Sequence, residues 1–266
     1  MDLESFPSLM LRRSGAVLHA TFNRPDTLNA FDEQLHDDFE RLLYQLPRDD
    51  ATHVVVFTGA GKAFSAGGDI EHMQELIDRP ELAYQEIGVS AKRLVNLLLE
   101  VPQPTIAKIN GPAIGLGATI ALFCDITFAA NHAKLADPHV KVGFTAGDGG
   151  AAIWPHLIGY ARAKHYLLTG DTLTGEEAAR IGLVNFAHPS DALDAAVEAY
   201  AQRVAAGGSR RAVQWTKATL NVGLKQIAAA ALETGVAYEM LSNRTRDHAE
   251  AVKAFREKRA PRFEGD

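Results

Sequence analysis

The sequence predicts a layered α/β fold with a helical C-terminal part. Three observations carry this. Up to about residue 195, short apolar runs of strand character alternate with segments of helical period, the pattern of a layered α/β chain. From Asp191 onward nearly every segment has helical spacing. Within the first part, the apolar run Thr105 to Ile109 leads through a glycine-rich turn into a second apolar run, a strand-turn-helix unit. With 266 residues the chain suits one large domain with an extension, divided here as 1–195 and 196–266.

Leu9 to Arg13 and Val17 to Phe22 flank Ser14-Gly15 and read as a hairpin. Phe31, Leu35, Phe39, Leu42, Leu43 and Leu46 recur at helical spacing, which predicts an amphipathic helix over 31–46. His53 to Thr58 is a short buried strand. Asp69 is placed to cap a helix from Ile70 to about Leu76. Leu82 to Leu99 reads as one long helix, closed by Pro102 and Pro104. Thr105 to Ile109 is a strand, Ala118 to Phe123 a helix and Ile126 to Ala129 a strand. Residues 132–148 are expected to be irregular, with Pro138, Gly143 and Gly147 as breakers. Helices follow over Gly149 to Leu157 and Ala161 to Leu168. Thr174 and Glu177 form a capping box, and Leu183 to Phe186 is a short strand. Helices over 191–205, 209–221, 224–242 and 246–257 complete the chain.

Composition narrows the function. The net charge is −6, so no global basic field argues for nucleic acid. No apolar run is long enough to span a bilayer. The single cysteine, Cys124, lies in an apolar run and fits a reducing compartment. No basic start precedes an apolar core at the N-terminus, so a cytoplasmic protein is expected. The ten histidines show no metal-ligand spacing, and no permanent metal or cofactor is expected.

Two glycine-rich segments stand out: Phe64-Ser65-Ala66-Gly67-Gly68-Asp69 and Asn110 to Thr119. Glycines let backbone approach a bulky group closely, and a helix start leaves N–H groups without intrahelical partners.

With Asn23-Arg24-Pro25, Leu28-Asn29-Ala30, Ala63 to Ile70, Asn110 to Gly117, Cys124-Asp125-Ile126 and Phe255 to Arg259 in that order, the chain resembles the crotonase family of enoyl-CoA hydratases and isomerases. The resemblance implies a spiral of ββα turns and a C-terminal helical trimerisation region. It implies an acyl-CoA substrate, with coenzyme A present only as part of the thioester, and a homotrimer or dimer of trimers. By the family pattern the N–H groups of Ala66 and Leu116 form an oxyanion hole for a thioester enolate. Ala63, Phe64, Gly67, Gly68, Asp69, Gly115 and Thr119 lie along the substrate. The basic side chains of Lys253, Arg256, Lys258, Arg259 and Arg262 fall where the family meets CoA phosphates.

Family hydratases carry two glutamates beside the added water. Thr119 and His139 stand at those positions here. A threonine hydroxyl does not titrate near neutral pH and cannot replace a carboxylate as base. The remaining acid-base candidates are His139 and Asp148. Gly147-Asp148-Gly149 followed by His156, together with Glu239, resembles the 6-oxocamphor hydrolase branch, which opens β-diketones. Three readings therefore stand: an enoyl-CoA hydratase or isomerase, a C–C bond hydrolase of β-dicarbonyl compounds, and a degenerate acyl-CoA-binding homologue. His156 and Glu239 are expected in structural or solvated positions. So are Glu71 and Glu75, which share a helix face.

Overall fold

The computed structural model describes residues 4–266. A six-stranded sheet forms the frame, in the order β1-β2-β3-β4-β6-β9. β1 (Leu9–Ser14) and β2 (Val17–Phe22) are the expected antiparallel hairpin. β3 (Val54–Gly59), β4 (Thr105–Ile109), β6 (Ile126–Ala130) and β9 (Phe186–His188) continue the sheet in parallel. Parallel strands need crossover connections, supplied here by helices. β5 (Ala113–Ile114), β7 (Lys134–Ala136) and β8 (Leu173–Thr174) make a small second sheet beside it.

α1 (Glu33–Gln45) is capped by Asp32, whose side chain accepts from Leu35 N–H at 2.9 Å. Its apolar stripe packs into an aromatic cluster: the Phe22 ring meets Phe31, Phe39 and Phe64 edge to face at 5.3, 5.3 and 5.4 Å. Burying each such ring contributes about 1.5–3 kcal/mol. α2 (Ile70–Asp78) starts at Asp69, which accepts from Glu71 N–H at 2.9 Å. α5 (Leu116–Phe123) is buried throughout and begins two residues earlier than its apolar run suggests. α6 (Gly150–Ile158) and α7 (Tyr160–Thr169) follow. α8 (Gly175–Ile181) begins with the expected Thr174–Glu177 capping box, and α9 (Ser190–Ala206) lies across the sheet.

Four elements depart from the sequence reading. The helix expected over 82–99 is α3 (Pro80–Ala83), a π-helical turn (Tyr84–Ser90) and α4 (Ala91–Glu100). Gly88 lies within the wide turn, against Met240. The irregular stretch 132–148 contains β7 and a 3-10 turn, His139–Val142. The strand expected at Leu183 to Phe186 starts only at Phe186. Leu183 and Val184 are buried in the turn that leaves α8, and the Asn185 side chain takes the hydrogen bond from Thr127 N–H at 2.8 Å.

The helices expected over 209–221 and 224–242 are one helix, α10 (Arg210–Ser242). Gly223 costs about 1 kcal/mol within a helix. Tertiary anchors outweigh it: Lys217 Nζ reaches Asp125 at 2.6 Å and the Gln103 carbonyl at 2.9 Å, and Asn221 donates to the Leu99 carbonyl at 3.0 Å. α11 (Arg246–Arg256) ends the helical part. Among the described residues no helix is long and apolar enough to cross a membrane.

Candidate active site

The two glycine-rich segments are stitched together. Phe64 and Ser65 N–H both donate to the Pro112 carbonyl at 3.0 Å, and Ile114 N–H donates to the Ser65 carbonyl at 3.0 Å. Gly115 then takes φ 51° and ψ −120°, a conformation open to glycine, and turns the chain into α5. Leu116 opens that helix, so its N–H is one that the helix itself cannot satisfy. The segments border a cleft of 820 Å³, lined by Ala66, Gly67, Gly68, Asp69, Gly115 and Leu116.

Ala66 N–H already has an acceptor, the Leu28 carbonyl at 2.9 Å. That carbonyl is aimed by two consecutive left-handed residues, Leu28 (φ 54°) and Asn29 (φ 56°). The conformation is costly for Leu, about 1–2 kcal/mol. It is held by Asn29, whose Nδ2 donates to the Ala60 and Ala63 carbonyls at 2.9 Å and whose Oδ1 accepts from Arg24 N–H at 2.9 Å.

His139 and Asp148 face the same cleft. His139 Nδ1 is hydrogen-bonded to Asp137, and Nε2 lies 3.7 Å from Asp148 Oδ2. A Cβ on Gly115 would stand 3.5 Å from His139 Cε1, so the imidazole edges the second glycine segment. Asp148 Oδ1 accepts from Thr119 Oγ1 at 3.1 Å. Gly150, beside it, comes so close to Asp137 that a Cβ there would lie 1.8 Å from the carboxylate. On the far side Gly147 packs against Gly235 of α10, one turn from Glu239, which also lines the cleft.

Electrostatics separates the roles. Burial pulls the His139 pKa down, but Asp137 and then Asp148 outweigh it and push it up to about 10. His139 is a cation at neutral pH. Asp148 is raised, first by burial and then by Asp137, against the pull of His139 and the hydrogen bonds from Gly150 and Thr119. Glu239 is raised well above the usual carboxyl value, by burial and then by Asp148. Its Oε2 is buried without a hydrogen-bond partner among the described residues. The arrangement sets the His139 ring between the carboxyl groups of Asp137 and Asp148, with Glu239 nearby in the same cleft. Asp137, His139 and Asp148 offer ligand atoms within 4.8 Å of one another. A divalent cation would need His139 to give up its proton, which the raised pKa opposes.

Eight of the expected site residues line the cleft: Ala66, Gly67, Gly68, Asp69, Gly115, Leu116, His139 and Asp148. Ala63 and Phe64 do not. Both are fully buried, Phe64 within the aromatic cluster, so their part is to hold the segment in place. Thr119 is also fully buried and reaches the cleft only through Asp148. Glu239 corrects a solvated expectation, being buried in the site. His156 is exposed on α6. Glu75 pairs with Arg79 at 2.6 Å, and Glu71 with Arg256 at 3.3 Å. Arg256 and Lys258 line the cleft, whereas Arg259 is taken up by Glu250 and Glu257. Asp137 was missed by the sequence reading, although it stands two residues before His139. His36, His72 and Glu86 also line the cleft, and no sequence motif marked them.

The family model described as enoyl-CoA hydratase/isomerase matches residues 12–266. A 1,2-epoxyphenylacetyl-CoA isomerase of Escherichia coli (strain K12) is 33% identical over 94% of this chain and 95% of its own. A crotonyl-CoA hydratase of Syntrophomonas wolfei is 32% identical over 97% of this chain and 98% of its own. A crystal structure of an enoyl-CoA hydratase/isomerase from Mycobacterium paratuberculosis superposes with a TM-score of 0.89 at 36% identity, covering 94% of this chain and 99% of the other.

Proposed function

The chain belongs to the enoyl-CoA hydratase/isomerase family, and from that premise we propose that it shifts the double bond of an enoyl-CoA through a thioester enolate. The reading rests on one observation: the acid-base pair of Asp148 and His139 shares a cleft with Ala66 and the helix start at Leu116. Two N–H donors aimed at an enolate oxygen are each typically worth a few kcal/mol. Leu116 N–H is one. Ala66 N–H is the other, shared with or released from the Leu28 carbonyl as the oxyanion forms.

Asp148 takes a proton from one carbon of the bound acyl group and returns it to another. Its raised pKa brings a carboxyl nearer the operating range of a general acid-base catalyst. His139 stays protonated, held by Asp137, and stabilises the negative charge that builds beside it. Hydration would set Asp148 to take the proton from water and His139 to give one to the α carbon, whereas the double-bond shift needs only Asp148 to move a proton. C–C hydrolysis of a β-dicarbonyl would likewise need a water activated by Asp148. Several buried ionisable groups gathered in one cleft favour an enzyme over a pure binding protein.

Coenzyme A enters only as part of the substrate, its phosphates near Arg256 and Lys258. The assembly in this reading is a homotrimer or a dimer of trimers. The exposed Trp215, Leu220 and Leu241 of α10 favour a covered face. The division at residue 195 is one of sequence character, since Glu239 of the helical part completes the cleft.

Incubation with a saturated acyl-CoA in D2O, read by mass spectrometry, tests the enolate itself. Deuterium at the α carbon, lost in Asp148→Asn, is the expected result. Intact binding with no exchange over a full range of chain lengths overturns it.

A further inference from the structure

Three polar side chains in the cleft have no part in the chemistry above. His36 comes from α1, His72 from α2 and Glu86 from the π-helical turn, and all three line the cleft beside Met73 and Leu76. The wider turn brings Glu86 and Ile87 inward together, and such turns are frequent at functional sites. His72 Nε2 meets Glu86 Oε2 at 2.5 Å, and its Nδ1 lies 3.5 Å from Glu75. That pair neutralises itself: the bond from Glu86 is the main cause of a raised His72 pKa.

His36 differs. Its ring sits edge to face on Phe31 at 5.2 Å, and its Nδ1 is buried with no hydrogen-bond partner among the described residues. Burial keeps this imidazole neutral, against the pull of Glu86 and Glu40. A neutral imidazole offers one donor and one acceptor. The same cleft carries an apolar wall: Leu76, Ile87 and Phe144 belong to a small cluster separate from the main core. Phe144 stands 6.0 Å from His139, ring to ring, so this wall adjoins the acid-base pair.

We propose that the cleft selects an acyl chain carrying a neutral hydrogen-bonding oxygen, a hydroxyl or ketone, away from the thioester, with His36 as its partner and the His72–Glu86 pair fixing the surroundings. The inference rests on the acyl-CoA reading. A plain alkyl chain would leave His36 Nδ1 as unpaired as it is in the free protein, whereas a hydroxyl or ketone brings a partner. A carboxylate would meet Glu86, and an ammonium would meet a Glu86 already neutralised by His72.

The test is calorimetric binding of paired thioesters to the full chain: an ω-hydroxyacyl-CoA and the unsubstituted acyl-CoA of equal length, over a series of lengths. At the matching length the hydroxylated thioester should bind about tenfold tighter, the effect of one good hydrogen bond. His36→Leu should remove that preference while binding the unsubstituted thioester at least as well. Equal affinity of the two at every length overturns this inference and leaves the acyl-CoA reading standing. Binding of neither overturns both. A His36→Leu chain that keeps the preference shows that another group makes the contact, and the assignment to His36 falls.

Discussion

His139 Nε2 lies 3.7 Å from Asp148 Oδ2, while the opposite ring nitrogen is held by Asp137. The imidazole is therefore fixed at one end and presented at the other. In the proposed reaction Asp148 exchanges a proton with the bound acyl group while the His139 ring is held beside it.

Asp148→Asn removes the proposed base but keeps the acceptor oxygen for Thr119. kcat should fall by about 10²–10⁴-fold, the usual scale for a general base. Acyl-CoA affinity should change little. Steady-state kinetics with calorimetry checks this, and an unchanged kcat would exclude Asp148 as the base.

Asp137→Asn leaves the shape and removes the charge that most raises His139. Activity needing the His139 cation should persist in the native protein until the pH approaches about 10. In the variant the alkaline limb should move toward the ordinary histidine range. The stability contribution has the same sign. With a folded pKa above the unfolded value of 6.5, it is present below 6.5 and lost as the pH rises through about 10. A pH–rate profile unmoved by the substitution would sink the role given to Asp137.

Glu239→Gln should become increasingly stabilising as the pH rises. The folded pKa is raised well above 4.5, so the unfolded chain ionises first and stability drains away above that value. A glutamine has no such loss. Urea midpoints compared at about pH 4 and about pH 8 should show the variant gaining on the native chain. Parallel pH dependence of the two proteins would mean that Glu239 ionises freely.

Gly150→Ala places a methyl 1.8 Å from Asp137 Oδ2, so the carboxylate or the loop must move. The cost should be about 1–3 kcal/mol, as for overpacking in a core. His139 would lose its anchor as well. Denaturation should show the destabilisation, and kcat should fall with it.

Much of the frame was legible because its signals are local. The caps at Asp69 and Thr174, the hairpin at Gly15 and the period of α1 each follow from a few neighbouring residues. α10 was not, because Gly223 reads as a break and the anchors that carry the helix past it, Lys217 to Asp125 and Asn221 to Leu99, join distant parts of the chain. The site divides the same way. Glycine-rich segments announce Ala66 and Leu116, and Asp148 stands out between glycines. Glu239 carries the same local pattern as any solvated helix face. Only the close contact of Gly147 with Gly235 tells that its turn faces inward.

That contact has a consequence for how the protein is made. Ala66, Leu116 and Asp148 leave the ribosome well before α10 and α11, yet Glu239, Phe255 and Lys258 border the same cleft. A nascent chain that has finished its sheet still has a gutter open on one side. The lining of the cleft is complete only once Lys258 has been added, so a chain released before that point has both glycine segments and no finished chamber.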